Sequence, residues 1–253
     1  MKTDGVSTQS LLVASFSSCK DDFKRLEVVK VAFVRIAGVD DAGRGAVIGP
    51  LVIAGVLIEG KNLSRLRDSG VKDSKLLSPD KREYLATEIE KMAVEWHVVR
   101  LSPEEIDEVV RTGRRLHRLN RLEAQTMAKV IEALKPDVAY VDASDVSPDR
   151  FRRHIVEELS FRVKIVSEHK ADTKYPIVSA ASIIAKVERD RAISRLQQKH
   201  GNLGCGYPTD PKTLDFLEEW IREFECYPGF VRKSWKPAKR LKSEAKSKQT
   251  RLV

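Results

Sequence analysis

The chain has only three cysteines in 253 residues, Cys19, Cys205 and Cys226, with neither a CxxC pair nor the Cys/His spacing of a zinc site. An odd and sparse set of this kind excludes a disulfide framework and a structural zinc module, and it fits a reduced, intracellular protein. No apolar run approaches the ~20 residues that a membrane-spanning helix needs. No internal repeat is visible, and no Ser/His/Asp or Cys/His grouping marks a covalent nucleophile. With 42% hydrophobic and 33% charged residues, the composition is that of a soluble globular protein. Val/Ile/Leu runs recurring from Val31 to Val187 rule out disorder along the whole chain. The length suits one large domain or two small ones.

The N-terminus contains Ser10 to Phe16 (SLLVASF) followed by Cys19, which echoes a lipoprotein signal. Against that stand Asp4 beside a single Lys2 and the shortness of the run. Asp21 and Asp22, with few arginines, also argue against an organellar transit peptide. Residues 1–30 are therefore expected to be an extension whose order the sequence leaves open, and the protein is expected to be cytoplasmic.

The formal net charge is +9, and its distribution says more than its sum. From Arg232 to Val253 there are nine Lys or Arg against one acid, Glu244, so the basicity is concentrated at the C-terminus. A basic terminal arm can hold a polyanion or can simply be a solvated tail.

Val31 to Val39 is apolar and β-branched and runs into Asp40-Asp41-Ala42-Gly43-Arg44-Gly45; Val47 to Ile58 follows. These predict two buried strands joined by a glycine-rich turn. Ser78-Pro79, Ser102-Pro103, Ser147-Pro148 and Asp210-Pro211 each place an N-cap before proline at the first helical position. Ser102 with Glu105 matches a capping box. Further strands are expected over 94–101, 138–141 and 162–166, and helices over 118–134, 148–159, 180–200 and 212–224. An early hairpin followed by alternating strands and helices predicts an α/β domain with a mixed sheet. The expected divisions are a catalytic domain over 31–200, a helical region over 201–236, and a disordered basic tail over 237–253.

Asp40-Asp41, Asp142 and Asp172 sit at the ends of apolar segments, where α/β sheets open onto a binding crevice. Carboxylates gathered there would repel unless protonated or bridged by cations, and hard oxygen donors select Mg²⁺ or Mn²⁺ over zinc. Each acid alone reads more readily as a cap or turn residue than as a ligand, as Asp145 and Asp149 do. Adjacent strand residues face opposite ways, so Asp40 and Asp41 can share a site only where the strand ends or distorts. Gly43-Arg44-Gly45 is either a simple tight turn or a place where backbone N–H groups and a guanidinium meet phosphate. His117 among Arg111, Arg114, Arg115, Arg118 and Arg121 is ascribed to a solvated helix face. Trp96, Trp220 and Trp235 are ascribed to packing, and His169 to a local hydrogen bond.

Taken in order, these motifs resemble ribonuclease HII, archaeal type. The resemblance is carried by Ala37 to Leu51 (AGVDDAGRGAVIGPL), Val71 to Ser78 (VKDSKLLS), Tyr140-Val141-Asp142, Glu168 to Pro176 (EHKADTKYP), Val178 to Arg191, and Gly206 to Pro211 (GYPTDP). It implies an RNase H-like fold: a five-stranded mixed sheet flanked by helices, with a helical C-terminal region. It also implies hydrolysis of the RNA strand of RNA–DNA hybrids, including a single ribonucleotide embedded in duplex DNA, leaving 5′-phosphate and 3′-hydroxyl ends. By position, the catalytic acids and ligands of two divalent metal ions, Mn²⁺ or Mg²⁺, fall on Asp40, Asp41, Asp142 and Asp172. The Gly43-Arg44-Gly45 turn would hold the 2′-hydroxyl and phosphate at the junction, and Tyr207 would stack near the junction sugar. Lys75 and Lys170 would contact phosphate, and a monomer is expected.

Two features depart from the family pattern. Asp41 stands where Glu is usual, and an extension precedes the first strand. Gln249-Thr250-Arg251-Leu252-Val253 opens like a sliding-clamp motif but carries no aromatic pair, which weighs against clamp binding. The rival readings are a catalytically weak hybrid-binding protein, disabled at Asp41, and a Mg²⁺-dependent phosphatase. The second of these leaves the glycine turn and Tyr207 without a purpose.

Overall fold

The first apolar run forms the central strand of a five-stranded sheet. The computed structural model describes residues 34–71, 77–111 and 115–250; the N-terminal extension and Lys75 lie outside the described residues. Strand β1 spans Arg35–Ala42 and β2 Leu51–Glu59, followed by a short helix α1, Leu63–Asp68, that the sequence reading did not anticipate. Then come α2 (Pro79–Met92), β3 (Glu95–Leu101), α3 (Pro103–Arg111), α4 (Arg115–Leu134), β4 (Val138–Asp142), α5 (Pro148–Val156) and β5 (Lys164–Glu168). A one-turn helix α6 (Ala171–Lys174) leads into α7 (Pro176–His200), α8 (Pro211–Phe224) and α9 (Lys236–Thr250). The expected caps form: Ser78 and Ser147 each accept an N–H at 3.3 Å, Asp210 accepts Lys212 N–H, and Ser102 and Glu105 close a reciprocal capping box.

The sheet order is β3-β2-β1-β4-β5, antiparallel from β3 to β1 and parallel from β1 to β5. β1 alternates strictly. Ile36 and Ala42 face a core layer shared with α7 and α2, whereas Ala37 and Val39 face a second layer with α4 and α5. At Gly38 the sheet admits no side chain, because a Cβ there would stand 2.2 Å from the Ile177 carbonyl oxygen. Only glycine lets the first turn of α7 press onto β1 and bring Ser182 to the strand end. Gly38→Ala is expected to cost about 3 kcal/mol or more, since the obstacle is backbone and cannot rotate away; urea denaturation measures the loss.

A third core layer joins Val47, Ile48 and Leu51 to α3, α4, α8 and the chain beyond it. It contains Trp235 and meets an aromatic group of Phe216, Trp220, Phe224 and Phe230. Trp96, expected to pack, is instead 40% exposed on the edge strand β3. The disordered tail expected over 237–253 is corrected as far as Thr250, because α9 is helical to that residue and packs on α8; residues 251–253 lie outside the described residues. Ala238, Leu241 and Ala245 fall on one helical face, the first two buried and Ala245 packed against them, and a buried leucine contributes about 1.5–3 kcal/mol. The charge-rich composition hid that sparse apolar stripe. Lys236, Lys239, Arg240 and Lys246 stay exposed.

Candidate active site

Four carboxylates from three separate segments meet at one end of the sheet. Asp40 and Asp41 come from the last turns of β1, Asp142 ends β4, and Asp172 lies in the one-turn α6 just past β5. All four line one cavity of about 300 Å³, together with Gly43, Arg44, Gly45, Ser144, Ser182, Lys186 and Tyr207. β1 stays in regular register through Asp41, opposite Ile53, and Ala42, opposite Val52. The strand is therefore not distorted, as the sequence reading had allowed. Asp40 faces α7, where Ser182 hydrogen-bonds its carboxylate, and Asp41 faces α4. The two share the cavity because it wraps around the end of the strand.

Local bonds fix these side chains. Asp40 Oδ1 accepts the Asp41 N–H at 2.7 Å, and Asp142 Oδ1 accepts the Ala171 N–H at 2.7 Å, which ties β4 to the start of α6. Ser144 Oγ donates to Asp41 Oδ1 at 3.4 Å. Burial, then the charges of Asp41 and Asp142, push the Asp40 carboxyl well above the usual carboxylate range; Ser182 and the Asp41 N–H oppose the rise. Among the described residues no three His, Cys, Asp or Glu side chains already stand in a ligating arrangement. The donor set nonetheless fits a hard divalent cation. It consists of carboxylate oxygens converging on one cavity, with Asp41 and Asp142 raising the proton affinity of Asp40 and no soft ligand in the lining.

The glycine turn is held from behind. Gly43 has φ of +91°, and a Cβ there would stand 2.7 Å from the Pro50 carbonyl oxygen. The fully buried Arg232 donates to the carbonyl oxygens of Gly43 (2.7 Å), Arg44 (2.8 Å) and Gly49 (3.2 Å). Burial and then the like charge of Arg189 push its guanidinium down to about 10. The Arg44 guanidinium is committed: Nε donates to Glu123 at 2.8 Å and Nη2 to Asn120 at 2.6 Å. Burial, then the charge of Asp41, pushes the Glu123 carboxyl up to about 8, and Arg44 opposes that rise. Asn120 in turn donates to Asp145, which Arg150 holds well below the usual carboxylate range despite its burial. Across the cavity, the buried Arg189 stacks over the Tyr207 ring at 4.4 Å from its centroid and donates to the Cys205 carbonyl.

Of the residues singled out from sequence, the four acids, the turn and Tyr207 come together. Lys170 is exposed in a left-handed conformation at the start of α6 and does not line the cavity. Lys75 lies outside the described residues. His169 makes the expected local contacts, its ring nitrogens 3.2 and 3.3 Å from the Ala143 and Val146 carbonyl oxygens. Sequence reasoning missed Ser144, Ser182, Lys186, Glu123, Arg189 and Arg232. Glu123 carried a signal in hindsight, being an acid on the apolar side of an amphipathic helix.

Comparison with known proteins bears on the family and the fold. The family model described as ribonuclease HII matches residues 37–238. The ribonuclease HII of Pyrococcus horikoshii is 46% identical over 221 residues, covering 87% of this chain and 98% of the relative. The crystal structure of ribonuclease H2 from the same organism superposes with a TM-score of 0.77 at 45% identity, covering 84% of this chain and 99% of that one. The ribonuclease HII of Archaeoglobus fulgidus, solved in complex with PCNA, gives a TM-score of 0.73 at 47% identity, covering 80% of this chain and 96% of that one. With a family match over most of its length and the RNase H-like sheet and helices of those relatives, this chain belongs to the ribonuclease HII family of endoribonucleases.

Proposed function

We propose that the protein is a metal-dependent endonuclease that hydrolyses the RNA strand of RNA–DNA hybrids and cuts at single ribonucleotides embedded in duplex DNA, leaving 5′-phosphate and 3′-hydroxyl ends. One observation carries the reading: four acids from three segments share one cavity with a glycine turn and Tyr207. Asp40, Asp41, Asp142 and Asp172 are assigned as the catalytic acids and as the ligands of two divalent ions, Mg²⁺ or Mn²⁺. These carboxylates would hold the ions, which would supply activation of a water and charge stabilisation for an in-line displacement.

The chain's own groups do the rest. Asp40 and Asp142 face the same side of the sheet and Asp41 the other, so the scissile phosphate is gripped across the strand end. The Gly43–Gly45 turn meets the 2′-hydroxyl and its phosphate, the one position where RNA and DNA differ. Tyr207 is assigned to the junction sugar, its ring held flat by Arg189. Lys186, half-buried in the cavity wall beside Asp190, adds positive charge on the substrate side. Residues up to about 200 supply the acids, and residues beyond supply Tyr207 and the support of the turn. The exposed basic face of α9, with Lys75 and Lys170, is assigned to duplex phosphates.

No helix among the described residues is long and apolar enough to cross a membrane; a cytoplasmic monomer belongs to the same proposal. The Archaeoglobus complex widens the partner reading beyond the sequence expectation. A sliding clamp belongs among the partners to test, with the end of α9 as the segment to remove.

A duplex with one embedded ribonucleotide tests the reading. With Mg²⁺ or Mn²⁺ it is cut at the ribonucleotide, while the all-DNA duplex and the 2′-O-methyl analogue stay intact. Efficient cutting of either control would make the protein a nuclease without ribose selection.

A further inference from the structure

Arg232 is the least expected residue of the site: a guanidinium with no exposure, 188 and 189 residues along the chain from the carbonyls it binds. Burying a charge is expensive, and a hydrophobic side chain of similar volume would fill the space without that cost. Here the cost is met by backbone. The carbonyl oxygens of Gly43, Arg44 and Gly49 take its donors, and the Trp235 ring lies 5.0 Å away. Its own N–H donates to the Val47 carbonyl at 2.9 Å, and Val231 forms a bridge with Ile48, so the guanidinium arrives on a braced segment.

A peptide unit is planar and trans, so its N–H points opposite to its C=O. Arg232 holds the Gly43 and Arg44 carbonyls on its own side; the N–H groups of the same two peptide units, those of Arg44 and Gly45, must then point away from it. The cavity touches Gly43, Arg44 and Gly45 but not Arg232. The Arg44 side chain, meanwhile, is taken by Glu123 and Asn120. The backbone is thus the part of the turn left to face a ligand.

We infer that Arg232 is the positioning residue for ribose selection. By gripping two carbonyls from behind, it aims the Arg44 and Gly45 N–H groups at the 2′-hydroxyl and its phosphate. The inference rests on the turn being the recognition element, as proposed above. It makes the C-terminal segment part of the choice between RNA and DNA without contact with the substrate.

The test compares wild type, Arg232→Met, Arg232→Lys and Trp235→Leu, the last loosening the same segment while keeping the guanidinium. Affinity is measured in EDTA for a duplex with one ribonucleotide and for its all-DNA counterpart, at a temperature where circular dichroism shows every variant folded. Wild type prefers the ribonucleotide duplex. Arg232→Met brings the preference to about unity while its all-DNA affinity stays within about twofold, because phosphate contacts position without specifying. Its kcat/KM at the ribonucleotide with Mn²⁺ falls about 10²-fold, as when a preorganised backbone donor is lost. Arg232→Lys, a point charge without the fork, recovers part of the preference, and Trp235→Leu keeps it. A folded Arg232→Met with full preference overturns the inference, as does equal loss in Trp235→Leu. Should Arg232→Met not fold, an undiminished preference in Arg232→Lys overturns it. A wild type with no preference overturns the recognition reading itself, and this inference with it.

Discussion

Asp142→Asn is expected to lower hybrid cleavage by about 10³-fold or more, exceeding the 10- to 100-fold that losing an outer-shell partner of a metal site costs. Asp40→Asn should do the same. Neither change should unfold the protein. The asparagine carbonyl at 142 can still accept the Ala171 N–H that starts α6. At position 40 the replacement removes a buried charge that Asp41 and Asp142 already oppose, so the thermal midpoint in EDTA should hold or rise. Activity and stability thus move in opposite directions, as they do where a site concentrates like charge for function. Duplex affinity in EDTA should change little. A variant that cuts at near wild-type rate under saturating metal would remove the residue from the site.

Replacing Asp41 separates two readings of the protein. The side chain is one methylene, about 1.5 Å, shorter than the glutamate usual in the family. It faces α4 rather than α7, with Ser144 as its hydroxyl partner. Because Mg²⁺ demands near-ideal octahedral geometry, a shortened ligand should favour Mn²⁺ more than glutamate would. Wild type is expected to be active, with Asp41→Glu holding or raising the Mg²⁺-supported rate. Asp41→Asn should lower that rate by about 10²-fold or more, because the charge would be needed to neutralise the divalent ions proposed there. Single-turnover rates in each metal measure both. A wild type inactive in Mg²⁺ and Mn²⁺ but rescued by Asp41→Glu would make the natural protein a hybrid binder.

What could be read from the sequence was local or periodic. Capping residues next to prolines located four helix starts, and β-branched runs located the strands, because both signals act within a few residues. Site acids were legible as polar residues closing apolar segments. Side-chain direction at the strand end was not. Alternation places Asp40 and Asp41 on opposite faces, and only the three-dimensional wrap of the cavity reconciles that with a shared site. Arg232 was counted as tail charge because no local pattern distinguishes a buried arginine from a solvated one; its partners lie far up the chain. Lys186 was hidden for the same reason, inside a helix whose facing surface is set by tertiary packing, whereas Glu123 stood on the apolar side of an amphipathic helix and could have been singled out. α9 shows the converse error, with three small or apolar residues among many lysines being enough to dock a helix.

The braced turn has a consequence for how the protein is made. All five strands and Asp172 are synthesised about 60 residues before Arg232, so the acids precede the support of the turn. The segment from Phe230 to Arg232, which bonds back to Val47, Gly49 and the turn, comes much later. At about 5–20 residues per second, some 10–40 s separate the synthesis of the turn from that of its support. Contacts spanning so much chain also close slowly, because the loop entropy must be overcome before they are rewarded. If Arg232 aims the turn as inferred, a chain ended before it would carry its carboxylates without the support proposed for telling one strand from the other.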